Sequence, residues 1–195
     1  MLLLVGLILG YYFGLMKRGA DANAEGMAEE SAAAEMTHVQ KLISEAPYQI
    51  YPATPVQLIK RYNEISTCFY NETCSEAELN TLATMLRSYF DDELKAQQTD
   101  AEYLEELKKD LIPFYNQGIT IYSAAVSPST DVEYFDHEGY ECARLYCTYT
   151  IKALVRGEVN YAPIQQVFIL RKDADGHWKI FGFKDVSDVA PAEEE

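Results

Sequence analysis

Basic side chains are scarce in this sequence: 16 Lys and Arg stand against 31 Asp and Glu over 195 residues, for a formal charge of −15. That balance argues against nucleic acid as a partner, because holding phosphates needs clustered cations. It equally disfavours lying flat on an anionic bilayer, so any membrane contact requires a dedicated anchor. Histidine is limited to His38, His137 and His177, none beside a nucleophile or a second ligand in the sequence. The four cysteines, at positions 68, 74, 142 and 147, are spaced C-x5-C and C-x4-C and lack the C-x2-C knuckles of structural zinc sites. No catalytic, cofactor-binding or metal-ligating residue is assigned from the sequence, and no cofactor is expected.

What the chain does have begins with Met1 to Met16, which contains no charged side chain and is closed by Lys17-Arg18. The segment 1–18 reads as a membrane anchor, with a cleaved signal as the competing reading, because Ala22-Asn23-Ala24 has the small-x-small form of a cleavage site. As a helix it reaches roughly 24 Å against a hydrocarbon core of about 30 Å, so Lys17 and Arg18 would have to snorkel or the bilayer thin. Gly6, Gly10 and Gly14 share one helical face and would permit self-association in lipid.

Residues 19–47 are rich in Ala and Glu and read as a spacer, partly helical where Thr37 and Gln40 can form a capping box. Residues 48–186 form the expected domain, and 187–195 an acidic tail. Three helices open that domain. Thr54 with Gln57, Ser75 with Glu78 and Thr99 with Glu102 are their capping pairs, with apolar stripes through Leu58, Ile59, Tyr62, Ile65 and Phe69, then Leu79, Leu82, Leu86, Tyr89 and Phe90, then Tyr103, Leu104, Leu107, Leu111, Phe114 and Tyr115. Gly118 is placed to end the third.

Beyond Gly118 the period changes to two, which predicts about five strands. The longest, Tyr140–Val155, is the central one, with Ala143, Leu145, Cys147, Tyr149, Ile151 and Ala153 facing the core and the alternate residues facing out. Helices followed by antiparallel strands give an α+β class, three helices packed on a curved sheet and preceded by a transmembrane helix. Cys142 and Cys147 then lie on opposite faces, about 16 Å apart at 3.3 Å per residue, and cannot pair. Cys68 and Cys74 flank a helix corner where a disulfide is sterically open; free thiols are the other reading. Asp173-Ala174-Asp175-Gly176 resembles a calcium loop but lacks its length and later Glu, and reads as a hairpin turn.

The closing Leu170-Arg171-Lys172-Asp173-Ala174-Asp175-Gly176-His177-Trp178-Lys179-Ile180 and the helix-then-strand order resemble nuclear-transport-factor-2-like (cystatin-like) domains. With Tyr51-Pro52-Ala53-Thr54-Pro55 and Cys68-Phe69-Tyr70-Asn71-Glu72, the likeness narrows to an uncharacterised bacterial family, a domain of unknown function with one N-terminal membrane helix. That resemblance implies a single-pass cell-membrane protein with its domain outside the cytoplasm, whereas Lys17-Arg18 alone favours a cytoplasmic domain. It is nearly silent on function, since such folds host many activities.

Two function classes follow. The first is a non-enzymatic binding or assembly module for an unidentified protein or small-molecule ligand. The alternative is a small-molecule enzyme, isomerase- or dehydratase-like, using a pocket between sheet and helices. The polar handles placed in that pocket are the Tyr149 hydroxyl and the Cys147 thiol.

Overall fold

The computed structural model describes residues 36–186. The proposed anchor, with Gly6, Gly10 and Gly14, and the acidic tail lie outside the described residues. Five α-helices come first: α1 (His38–Glu45), α2 (Pro55–Asn71), α3 (Glu76–Arg87), α4 (Asp92–Ala96) and α5 (Asp100–Gln117). Five strands follow, β1 (Thr120–Val126), β2 (Glu133–His137), β3 (Tyr140–Val155), β4 (Glu158–Lys172) and β5 (Trp178–Asp185).

The expectation of three helices behind a transmembrane helix is therefore corrected. The described residues hold five α-helices, all ahead of the sheet, and no helix among them is long and apolar enough to cross a membrane. Even α5, with 18 residues, carries Glu102, Glu105, Glu106, Lys108, Lys109 and Asp110 along its length. The two additional helices are short, eight and five residues, too few turns for a periodic stripe to stand out. Each is nevertheless set by its cap: Thr37 and Gln40 form a full capping box on α1, and the Asp91 carboxylate accepts from the Glu93 N–H on α4. Helix α1 also packs Val39 and Leu42 into the core, so the packed region reaches upstream of Tyr48.

The caps at Thr54, Ser75 and Thr99 hold, with one shift of partner. The Gln57 side chain accepts from the Ala53 N–H, one residue before the Thr54 cap. Gly118 ends α5 at φ +60°, a left-handed conformation that glycine adopts without a Cβ penalty.

All strand pairs are antiparallel, in the order β1-β3-β4-β5, with β2 pairing β3 beyond the end of β1. Two-residue turns at Glu138-Gly139 and Arg156-Gly157, all four residues at positive φ, join β2 to β3 and β3 to β4. Because the second turn is so tight, β4 pairs with β3 from Glu158 onward, six residues earlier than the apolar run at Ile164 suggests. Pro163 falls inside that extension. It is tolerated because β5 covers β4 only from Gln166, leaving an open edge where a missing N–H breaks no ladder bond.

The register of β3 is as the alternation predicts: Ala143, Leu145, Cys147, Tyr149, Ile151 and Ala153 are each at most 1 % exposed. The helices cover this face. Beside β5, the segment after α3 adds a parallel bridge at Phe90–Ile180, with the Asp91 N–H donating to the Ile180 carbonyl (2.9 Å) and the Ile180 N–H to the Tyr89 carbonyl (2.8 Å).

Candidate functional site

The space between helices and sheet is filled: Tyr62, Leu86, Leu107, Leu145 and Ile151 are all buried. Tyr149 and Cys147, the proposed pocket residues, sit within this packing and are themselves sealed from solvent. A residue that the sequence reading passed over joins them. Asn63 on α2 accepts a 2.6 Å hydrogen bond from the Tyr149 hydroxyl and donates to the Cys147 sulfur at 3.2 Å. Its signal was an amide four residues after Ile59, on a helical face that otherwise goes to the core. Burial pushes the Tyr149 hydroxyl well above its usual pKa and raises the Cys147 thiol as well. Neither is poised as an acid or base near neutral pH.

Asn63 also floors a small polar cavity of about 320 Å³ between α2 and β1, rimmed by Lys60, Glu64 and Asn71. The Asn71 side chain is already committed, exchanging two 2.8 Å bonds with the backbone of Ile121. On the same side of the sheet, Gln166 donates to the buried Asp185 carboxylate at 2.9 Å.

The opposite, helix-free face carries the larger feature. An apolar groove of about 680 Å³ runs over β2, β3, β4 and β5, lined by Phe135, Tyr146, Val167, Ile169, Phe181 and Gly182. Arg144, Lys184 and His137 stand at its rim. Arg144 is shared with Glu133 at 3.0 Å, while Lys184 is exposed and has no ion pair among the described residues. At one end, Arg171 lies between the rings of Tyr140 (4.4 Å) and Phe181 (4.5 Å). Its guanidinium forks onto Asp91 at 3.0 and 2.6 Å and reaches Glu93 at 2.8 Å, which raises its already high pKa.

All four cysteines are free thiols. Cys68 is buried and Cys74 half-buried; burial, reinforced by neighbouring acidic groups, pushes their pKa values up to about 12 and about 11. Of the histidines, His38 does gain partners: its Nδ1 lies 2.9 Å from Glu72 Oε1 and 3.7 Å from Cys68 Sγ. This grouping joins His38 to residues 30 and 34 positions away and has no local pattern to announce it. The Asp173 carboxylate is spent inside its own hairpin, accepting from the N–H groups of Asp175 (3.0 Å) and His177 (2.8 Å).

A comparison with curated proteins finds no match. A comparison with protein families matches residues 1–183 to a family described as a domain of unknown function (DUF6715), and the chain belongs to that family.

Proposed function

We propose that the folded domain is a non-enzymatic binding or assembly module, and that it receives an acidic peptide segment with apolar side chains on the helix-free face of its sheet. The groove carries this reading. It places Val167, Ile169 and Phe181 at the base of an open channel whose rim includes Arg144, Lys184 and His137. On a chain with a net charge of −15, the Arg144 and Lys184 cations beside this apolar surface support charge complementarity with an acidic partner. The helix side supports the same choice. An enzyme there would need an accessible acid or base, whereas Tyr149 and Cys147 are sealed and Asn63 does not titrate.

The test is selection of a random soluble peptide library on the full chain, with Ile169→Glu as the comparison. Enrichment of acidic, aromatic or aliphatic sequences that fail to bind Ile169→Glu supports the reading. Enriched peptides without acidic bias, or binding that survives Ile169→Glu, overturns it.

A further inference from the structure

We propose that His38, Cys68 and Glu72 form a binding site for zinc, or for a divalent cation of the same borderline-soft class, that clamps the start of α1 to the end of α2. Two helices deliver the donors. His38 is the first residue of α1, directly after the Thr37 capping box, and Cys68 and Glu72 stand one helical turn apart where α2 ends. The Glu72 N–H closes that turn on the Cys68 carbonyl at 3.1 Å. One ligand atom from each residue lies within 4.8 Å of the other two.

The two separations from His38 fit a tetrahedral ion, with one small adjustment. Metal bonds of about 2.0–2.1 Å to nitrogen and about 2.3 Å to sulfur place those two ligand atoms about 3.6 Å apart. The His38 Nδ1 to Cys68 Sγ distance is 3.7 Å. Nitrogen and carboxylate oxygen ligands stand about 3.4 Å apart around zinc, so the 2.9 Å His38–Glu72 contact must open by about half an ångström. An ordinary ion pair would account for His38 and Glu72 alone. It leaves out the Cys68 thiol, 1 % exposed, whose sulfur stands beside the same imidazole while also lying 3.3 Å from the Glu64 carbonyl one turn back.

Donor chemistry narrows the ion. One thiolate, one imidazole and one carboxylate suit zinc and disfavour magnesium or calcium, which prefer all-oxygen shells. The His38 side chain is 54 % exposed, which gives the ion a path from solvent and leaves a fourth position for water. On binding, the Cys68 thiol gives its proton to water as the metal–sulfur bond forms, His38 coordinates as the neutral imidazole, and no electrons change hands.

The test uses the full chain, stripped with a chelator and reloaded with zinc or cobalt. Expected are one zinc per chain, a near-ultraviolet thiolate-to-cobalt charge-transfer band, and a melting temperature raised by zinc. His38→Ala and Cys68→Ser should each weaken zinc binding by at least about tenfold and abolish the zinc-dependent rise in melting temperature. Cys142→Ser, on the sheet, should leave all three readouts unchanged. In chelator the His38 and Cys68 variants should melt as a cooperative fold, which separates lost binding from lost structure; Glu72→Gln is the second variant should either fail that check. Absence of stoichiometric zinc, zinc content indifferent to these substitutions, or Cys68 joined to Cys74 in the isolated protein would overturn the assignment.

Discussion

The Tyr149 hydroxyl and the Asn63 side-chain oxygen, 86 positions apart in sequence, share a 2.6 Å hydrogen bond inside the core. The same amide turns its NH2 to the Cys147 sulfur, so one helix residue satisfies polar groups at two successive inward positions of β3. In a core of aliphatic and aromatic side chains this bond fixes how α2 sits along the central strand, because sliding the helix would leave a hydroxyl and an amide unpaired.

Asn63→Ala should therefore destabilise the domain by about 1–3 kcal/mol through the orphaned Tyr149 hydroxyl alone. Tyr149→Phe in the same background should recover part of that loss. Urea denaturation of the four proteins of this cycle measures the coupling, and strict additivity would mean that the contact carries no energy.

The Arg171–Asp91 pair ties the segment after α3 to β4, with side chains only 12 % and 7 % exposed. Asp91→Ala leaves the guanidinium with Glu93 as its one remaining carboxylate and removes the cap of α4. A loss of about 3 kcal/mol is expected, since breaking one side of a buried pair costs more than the pair contributes. Thermal unfolding checks it, and a change below about 1 kcal/mol would show the ion pair to be solvated.

Asp110 on α5 has its carboxyl raised from the ordinary 3.8 to about 6, chiefly by burial and secondarily by Glu106. A carboxyl whose folded pKa exceeds its unfolded one binds its proton more tightly when folded. Stability from this group is thus present below about pH 4 and is lost as pH rises through about 6. Asp110→Asn should be more stable than the parent at pH 7, with the advantage shrinking as pH falls toward 4. Melting curves across that range decide the sign.

Gly182 pairs with Ile169 on the neighbouring strand, both lining the groove, and a Cβ built there meets nothing within 4 Å. Gly182→Ala should raise stability by about 0.5–1 kcal/mol by restricting the unfolded chain. Gly182→Leu should keep the fold while occupying the channel. Loss of acidic-peptide binding with an unreduced melting temperature is the expected result, measured on one preparation by calorimetry and peptide titration.

Much of this architecture could be read before folding was considered. Thr54, Ser75 and Thr99 announce their helices because capping is local chemistry, and the two-residue period of β3 sorts its faces because strand geometry permits nothing else. The α1 helix was harder: two buried side chains, Val39 and Leu42, are too few to reveal an amphipathic stripe among Ala and Glu. Pro163 concealed the first half of β4, since its meaning depends on whether a neighbouring strand lies beside it. Asn63, Glu72 and His38 were opaque for a common reason. Their partners come from distant elements, and a side chain's spacing along its own element carries no information about what stands opposite.

Pro163 also bears on how molecules of this protein meet each other. Along Glu158–Gln165, β4 presents main-chain groups that β5 leaves uncovered, flanked by the exposed Val159 and Tyr161. Such a border is a template on which another chain could zip its own backbone and begin a fibril. A residue that cannot donate interrupts the template near its middle. Further along the same border, the parallel bridge at Phe90–Ile180 occupies the outer edge of β5 in the same protective sense. With this border interrupted at Pro163 and occupied at Ile180, growth by strand addition is discouraged along the β4–β5 side of the sheet.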